Sequence, residues 1–387
     1  MGSAVEEDYD VSKRREVSSG MDVKGISEER YKSQFEYLGS DKEVNRVAPV
    51  VSVTVITYQH KAYISQCLDG ILAQKTQFPF EVVIGEDGSS DGTREICIDY
   101  AEKHPDKIRL FLRDRKLTQL NDEERESVAQ FNGVWTRMSA RGKYVALCDG
   151  DDYWVDSSKL QRQVDFLEAN QDFAMCFHKV KISKRGRMVR DYITDIPAQV
   201  TTIEDLIEWG NYIQTPSVMY RNDLIKEFPE WYYRSPVGDF PLHLLNALHG
   251  KIMYIDREMA VYRVHKGGVW SQRNGNAIEL TKKWVAMFEG FEAGLTGELK
   301  RRVAGAISLT YLDLSDLYRN NGERELSLEA FKKSSEKEIR ALYERYYRVK
   351  ICYDAIKKFL NTGDEKFLLL KRITRYAIRT VRRALVS

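Results

Sequence analysis

Lys143-Tyr144-Val145-Ala146-Leu147-Cys148-Asp149-Gly150-Asp151-Asp152-Tyr153-Trp154 is a strand-like run that ends in three carboxylates within four positions. Crowded acids repel one another, and a fold must offset that cost. Mg2+ and Mn2+ prefer carboxylate oxygen and leave coordination positions open for a phosphate, so a hard divalent cation is the usual reason for such a cluster. Ligands of α/β sheets gather at the carboxyl ends of strands. A competing reading is a polar loop that caps a helix over 159–169 through Asp156 or Ser157. That reading accounts for one Asp, and it does not account for Asp-x-Asp-Asp at the end of a buried strand.

Outward from this run, the pattern alternates between periods. Residues 51–56, 80–85 and 107–112 are β-branched or apolar runs of strand length, and residues 61–74, 93–104 and 128–140 carry helical spacing. Strands alternating with helices build right-handed βαβ units and a mainly parallel sheet flanked by helices, an α/β fold. The second half is more mixed. Strands are expected over 173–182, 216–220, 251–255 and 259–264, and Thr201-x-x-Glu204 reads as a capping box. A helical segment over 240–249 opens at Asp239. A loop, His265-Lys266-Gly267-Gly268-Val269-Trp270, follows the last strand.

The ends differ from the middle. Residues 1–48 are a polar extension with one helix expected over 27–38. Residues 49–275 form the α/β domain and 276–362 a helical domain. In the latter, Asn320-Asn321-Gly322 stops one helix and starts another, as in a single tetratricopeptide-type hairpin. Residues 363–387 place Lys366, Lys371, Arg372, Arg375, Arg379, Arg382 and Arg383 beside a stripe of Leu370, Ile373, Ala377, Val381 and Ala384. Such a basic amphipathic helix suits an anionic membrane surface, or it docks on the domain as many surface helices do.

The bulk numbers exclude several classes. The 387 residues carry a net charge of +2, so nothing draws the whole chain to nucleic acid. The basic tail also lacks interleaved stacking aromatics beyond Tyr376. Five cysteines, none in a CxxC, read as reduced core residues of a cytoplasmic protein. No apolar run approaches the ~20 residues of a membrane span, and the first residues lack the basic and apolar regions of a signal peptide.

Four blocks resemble glycosyltransferase family 2, the inverting nucleotide-sugar transferases of GT-A (Rossmann-like) fold, and within it members that act on bacterial polysaccharides and glycoconjugates. They are residues 51–58, 84–93, 142–154, and the set 215–221, 238–242 and 262–265, and together they span roughly 50–275 in the family's order. The resemblance implies a metal-assisted single displacement. A sugar, from a UDP-sugar first of all, passes to a hydroxyl of a glycan or lipid-linked glycan. It implies that Thr57, Tyr58, Asp87 and Asp149 contact the nucleotide, that Asp151 and His265 hold Mn2+ or Mg2+, and that Asp239 is the base that takes the acceptor proton. Asp152 is expected to orient its neighbours, Arg263 and Lys266 to meet phosphate charge, and Trp154 and Trp270 to stack on sugars or pack in the core. Asp91 is expected only to cap the following helix. Asp239 has a rival reading as a helix N-cap.

Other readings compete. A sugar-phosphate nucleotidyltransferase places a Gly-rich loop and a basic residue after its first strand, where this chain has Thr57-Tyr58-Gln59-His60. No GxxxxGK[ST] occurs either. A protein acceptor docked on the terminal helices, or a noncatalytic nucleotide-sugar-binding scaffold, are the alternatives within reach. The expected site of action is the cytoplasm, with the last helix available to the inner face of the cell membrane. Self-association through the helical region is a further expected contact.

Overall fold

The protein is described from a computed structural model over residues 22–23, 26–27, 36–38, 42–114, 128–184, 186–189, 191, 196–265 and 277–334. The chain enters through three two-residue strands, β1 (Asp22–Val23), β2 (Ile26–Ser27) and β3 (Glu36–Tyr37). Glu36 and Tyr37 pair with Phe111 and Leu110. The end of the stretch expected as helix 27–38 is therefore an edge strand, recruited by tertiary pairing. Val44 is buried as well, and its N–H reaches Pro105 O at 3.1 Å. Part of the polar extension thus belongs to the sheet's edge.

The next elements follow the sequence pattern closely. They are β4 (Val51–Thr57), α1 (Ile64–Leu72), β5 (Phe80–Glu86), α2 (Thr93–Lys103), β6 (Ile108–Leu112), α3 (Val128–Met138), β7 (Tyr144–Leu147), β8 (Tyr153–Trp154) and α4 (Lys159–Ala169). Then come β9 (Phe173–Lys184), β10 (Arg187–Val189), β11 (Val200–Thr201), α5 (Ile203–Trp209), β12 (Met219–Arg221), α6 (Glu230–Tyr233), α7 (Asp239–Ala247) and β13 (Lys251–Val264). The last are α8 (Ala277–Glu292), α9 (Gly297–Asn320) and α10 (Arg324–Lys333).

Eleven strands form one sheet in the order β11-β13-β9-β12-β7-β4-β5-β6-β3, with β10 on β9 and β8 on β13. Strands β7, β4, β5 and β6 are parallel, as βαβ connections require. β12 enters antiparallel to both β7 and β9, so the sheet is mixed beyond β7. The two expected strands over 251–264 are one strand with a register shift between Ile255 and Ala260. The capping box of α5 sits one residue later than expected, as Thr202 with Asp205. Thr201 is in β11, where its hydroxyl accepts from Tyr212.

Alternation along β7 divides the core. Val145 and Leu147 join one apolar cluster, while Tyr144, Ala146 and Cys148 join the other. The first cluster also contains Trp135 of α3, Phe240 and Leu244 of α7, Phe288 and Phe291 of α8 and Val303 and Ile307 of α9. Each such fully buried side chain contributes about 1.5–3 kcal/mol, which ties α8 and α9 to the sheet face that carries α7. Cys67, Cys97, Cys148 and Cys176 are free and buried. No helix among the described residues is long and apolar enough to cross a membrane. Lys266, Trp270, Cys352 and the basic segment 363–387 lie outside the described residues.

Candidate active site

From β4 the chain builds β5 and β6 on one side, then returns to place β7 on the other. The carboxyl ends of β4 and β7 thus flank a topological switch point, where such sheets bind ligands. Two loops are pinned to β4 there. Asp87 N–H donates to Thr57 O at 3.0 Å, and Gly150 N–H donates to Ile56 O at 2.9 Å. Thr57 and Asp87 are buried, whereas Tyr58 is 40% exposed at the strand end. In the loop after β5, Glu86 accepts from Ser89 N–H at 2.7 Å and pairs with Arg94. Asp91 accepts from Thr93 and Lys61 N–H at 3.0 and 3.1 Å and so shapes the entry to α2, as expected.

Gly150 shows how tightly the acidic loop sits on β4. A Cβ there would lie 2.5 Å from Thr57 Oγ1 and 3.0 Å from His60 Nδ1. The loop's carboxylates have distinct surroundings. Asp152 is buried and accepts the Arg263 N–H at 2.8 Å, which fixes the end of β13. Burial, with Asp151 nearby, pushes its carboxyl well above the usual range. Burial, then Asp151, also pushes Asp149 up to about 8. Asp151 differs: burial works to raise it, but the hydrogen bond to His265 and the charges of His60 and His265 hold it below its ordinary value.

Asp151 Oδ2 lies 2.9 Å from His265 Nε2 and 3.9 Å from His60 Nε2. The ligand atoms of these three residues all lie within 4.8 Å of one another, and the side chains keep 16–19% exposure. Two imidazole nitrogens and a carboxylate oxygen are a donor set that fits a divalent metal ion, and a cation there would offset the burial and the repulsion that raise Asp149. Arg263 closes one side. Its guanidinium lies over Tyr153 at 4.3 Å and Tyr63 at 5.0 Å, and it donates to Asp151 O and Gln66 Oε1.

Asp239 is the first residue of α7, whose N-cap is Gly238 without a side-chain cap. Its carboxylate accepts from Asn211 Nδ2 at 3.0 Å and from Phe240 N–H at 2.8 Å. Burial nonetheless pushes its pKa above the usual carboxylate range. The Asp239 charge reaches Asp149, and Tyr262 feels Asp152, Asp151, Asp239 and Asp149 together. Four carboxylates from two parts of the chain therefore act on one another, Asp152 buried and the other three half-buried. Arg137 of α3 donates to Tyr232 OH at 3.1 Å and lies within the electrostatic reach of Asp149 and Asp239.

The fold thus gathers Thr57, Tyr58, Asp87, Asp149, Asp151, Asp152, Asp239, Arg263 and His265 around the strand ends, or their electrostatic neighbourhood. Trp154 takes the second of its two expected readings. It is 3% exposed, its Nε1 donates to Pro216 O at 2.9 Å and Lys159 Nζ lies over its ring at 4.0 Å, so it packs in the core and does not stack on a sugar. Sequence reasoning missed His60, Asn211 and Arg137. His60 had one legible signal: it follows a strand end by three residues, beside the Thr57 and Tyr58 already singled out.

A family model described as glycosyl transferase family 2 matches residues 52–122. An uncharacterised protein of Mycobacterium tuberculosis is 34% identical over 249 residues, which cover 64% of this chain and 68% of that protein. The putative teichuronic acid biosynthesis glycosyltransferase TuaG of Bacillus subtilis is 34% identical over 189 residues, 46% of this chain and 69% of TuaG. Among solved structures, S. aureus TarS (residues 1–349) in complex with UDP-GlcNAc matches with a TM-score of 0.50 at 18% identity, over 87% of this chain and 90% of that one. This last likeness is one of fold, the GT-A arrangement.

Proposed function

The chain belongs to glycosyl transferase family 2, and from that membership we propose an inverting transfer of a sugar from a nucleotide donor to a hydroxyl of a glycan or lipid-linked glycan. A UDP-sugar is the first donor to test. The observation that carries the reading is the placement of Asp239 on a different element from the acidic loop, yet within the electrostatic reach of Asp149.

In this reading Thr57, Tyr58 and Asp87 hold the nucleoside at the end of β4. Asp149 faces the ribose side, and Asp152 keeps Arg263 and the end of β13 in place. A divalent cation held by Asp151 and His265 would supply positive charge opposite the diphosphate. Asp239 takes the acceptor's proton as its oxygen attacks from the face opposite the leaving nucleotide. Its hydrogen bond from Asn211 aims the carboxylate, and its raised pKa makes it a stronger base than a free Asp. The glycan acceptor draws support from TuaG, whose name assigns it to teichuronic acid biosynthesis.

The test is nucleotide release from a panel of UDP-, GDP- and dTDP-sugars with wild type and Asp239→Asn. The expected outcome is donor affinity within about twofold and turnover lower by about 10²–10⁴ in the variant. Turnover equal to wild type would remove Asp239 from the chemistry.

A further inference from the structure

We propose that His60 is a third protein ligand beside Asp151 and His265, so that the chain takes up Mn2+ in preference to Mg2+ before any nucleotide arrives. This deepens the glycosyltransferase reading and rests on it. The three ligands come from three separated stretches: the loop after β4, the loop after β7 and the residue that follows β13. Sheet topology alone brings them together.

The geometry is that of a set able to close on an ion. Metal–ligand bonds of about 2.1 Å put neighbouring ligands roughly 3 Å apart and opposite ones roughly 4.2 Å apart. His265 and Asp151 already stand at 2.9 Å, and His60 and Asp151 at 3.9 Å. All three atoms lie within 4.8 Å, so side-chain shifts on the order of 1 Å suffice. The His60 ring is also oriented for the task. Its Nδ1 lies 3.2 Å from Thr57 Oγ1, and its backbone N–H donates to Thr93 Oγ1 at 2.8 Å. With Nδ1–H donating to Thr57, the Nε2 lone pair faces Asp151. Ligating histidines are held in this way by a partner on the other ring nitrogen. The Tyr63 ring packs 4.8 Å from that of His265, so both imidazoles are backed by fixed neighbours.

The donor set decides the ion. Mg2+ demands an oxygen octahedron and keeps most of its waters, whereas imidazole suits first-row transition ions. A lone carboxylate would hold a cation only with the help of the diphosphate. Two imidazoles and a carboxylate supply three protein ligands, and the remaining positions stay open for the donor's phosphate oxygens.

The experiment is a titration of the full chain with Mn2+ in the absence of nucleotide, read by loss of the free-ion electron paramagnetic resonance signal. Pulsed measurement then counts the coupled nitrogens. Wild type should bind one Mn2+ with two imidazole nitrogens, and a hundredfold excess of Mg2+ should not displace it. His60→Gln should weaken Mn2+ at least tenfold and leave one coupled nitrogen. Two results would overturn the proposal: a single coupled nitrogen in wild type, which needs no variant to interpret, or Mn2+ that binds only after UDP is added. Either leaves the transferase reading intact. Failure of every nucleotide to bind, with Mn2+ held as described, would instead remove the transferase reading and keep the metal site.

Discussion

Gly150→Ala is the sharpest perturbation of this site, because it adds one methyl group where the acidic loop touches β4. The new Cβ would lie 2.5 Å from Thr57 Oγ1 and 2.7 Å from Thr57 Cβ, against ordinary contact beginning near 3.4 Å. A separation of about 0.9 Å must therefore open between loop and strand. Thr57 cannot supply it. It is 2% exposed, it pairs with Glu86, and its carbonyl holds the Asp87 N–H. The acidic loop must yield, and with it Asp149 and Asp151. Overpacking of this kind costs about 1–3 kcal/mol of stability, and a displacement near 1 Å at a reacting site costs about 10² in rate. The assay pairs thermal unfolding with metal-dependent UDP and GDP binding and with nucleotide release. Gly186→Ala is the control, since its Cβ meets nothing within 4 Å and only its φ of +76° is strained. The expected result is a folded Gly150→Ala protein with turnover down about a hundredfold, and a Gly186→Ala protein with wild-type turnover. A folded Gly150→Ala variant with wild-type affinity and rate would refute the claim that β4 and the acidic loop form one site.

Two further outcomes follow from buried titrating groups. Asp239 has a folded pKa raised by burial, so in the proposed role of base it would act only once pH climbs past that value. The acid limb of kcat/KM should lie above the ordinary Asp range near ~3.9 and vanish in Asp239→Asn. The same shift means that the native state holds this proton longer than the unfolded chain. Ionisation therefore costs stability as pH rises through the folded value, and Asp239→Asn should raise Tm at pH 7 but not at pH 3. Lys159 is fully buried, and its pKa falls from 10.5 to about 7 because burial disfavours the ammonium. Between those values the unfolded chain carries more protons, so stability should rise with pH from about 7, by at most about 5 kcal/mol across the whole window at ~1.4 kcal/mol per unit. Lys159→Met should flatten that rise in Tm between pH 7 and 9, and an unchanged slope would contradict the burial argument.

The parallel half of the fold was legible because β4, β5 and β7 are buried on both faces, and such strands read as continuous apolar runs. The acidic loop was legible for the same reason: it interrupts one of those runs with charge. The antiparallel insertion of β12 was not, since three residues carry no direction and its neighbours β7 and β9 are set by tertiary pairing. The edge strand at Glu36–Tyr37 shows that helical spacing yields to pairing when a sheet edge is within reach. Trp154 could not be assigned from sequence, because an aromatic residue beside a site and one beneath it have the same neighbours in the chain. His60 was hidden because nothing local in Tyr58-Gln59-His60-Lys61 says that β13 returns to lay His265 beside it.

The central claim is that the ends of β4, β5 and β7 bind a nucleotide through a metal held at Asp151. Calorimetry of UDP, GDP and dTDP, with and without Mn2+, on wild type and Asp151→Asn tests it directly. The account predicts that one of the three binds tightly, that binding needs Mn2+, and that Asp151→Asn abolishes this metal-dependent binding. No binding by any of the three, or equal binding with and without Mn2+ in both proteins, would contradict it.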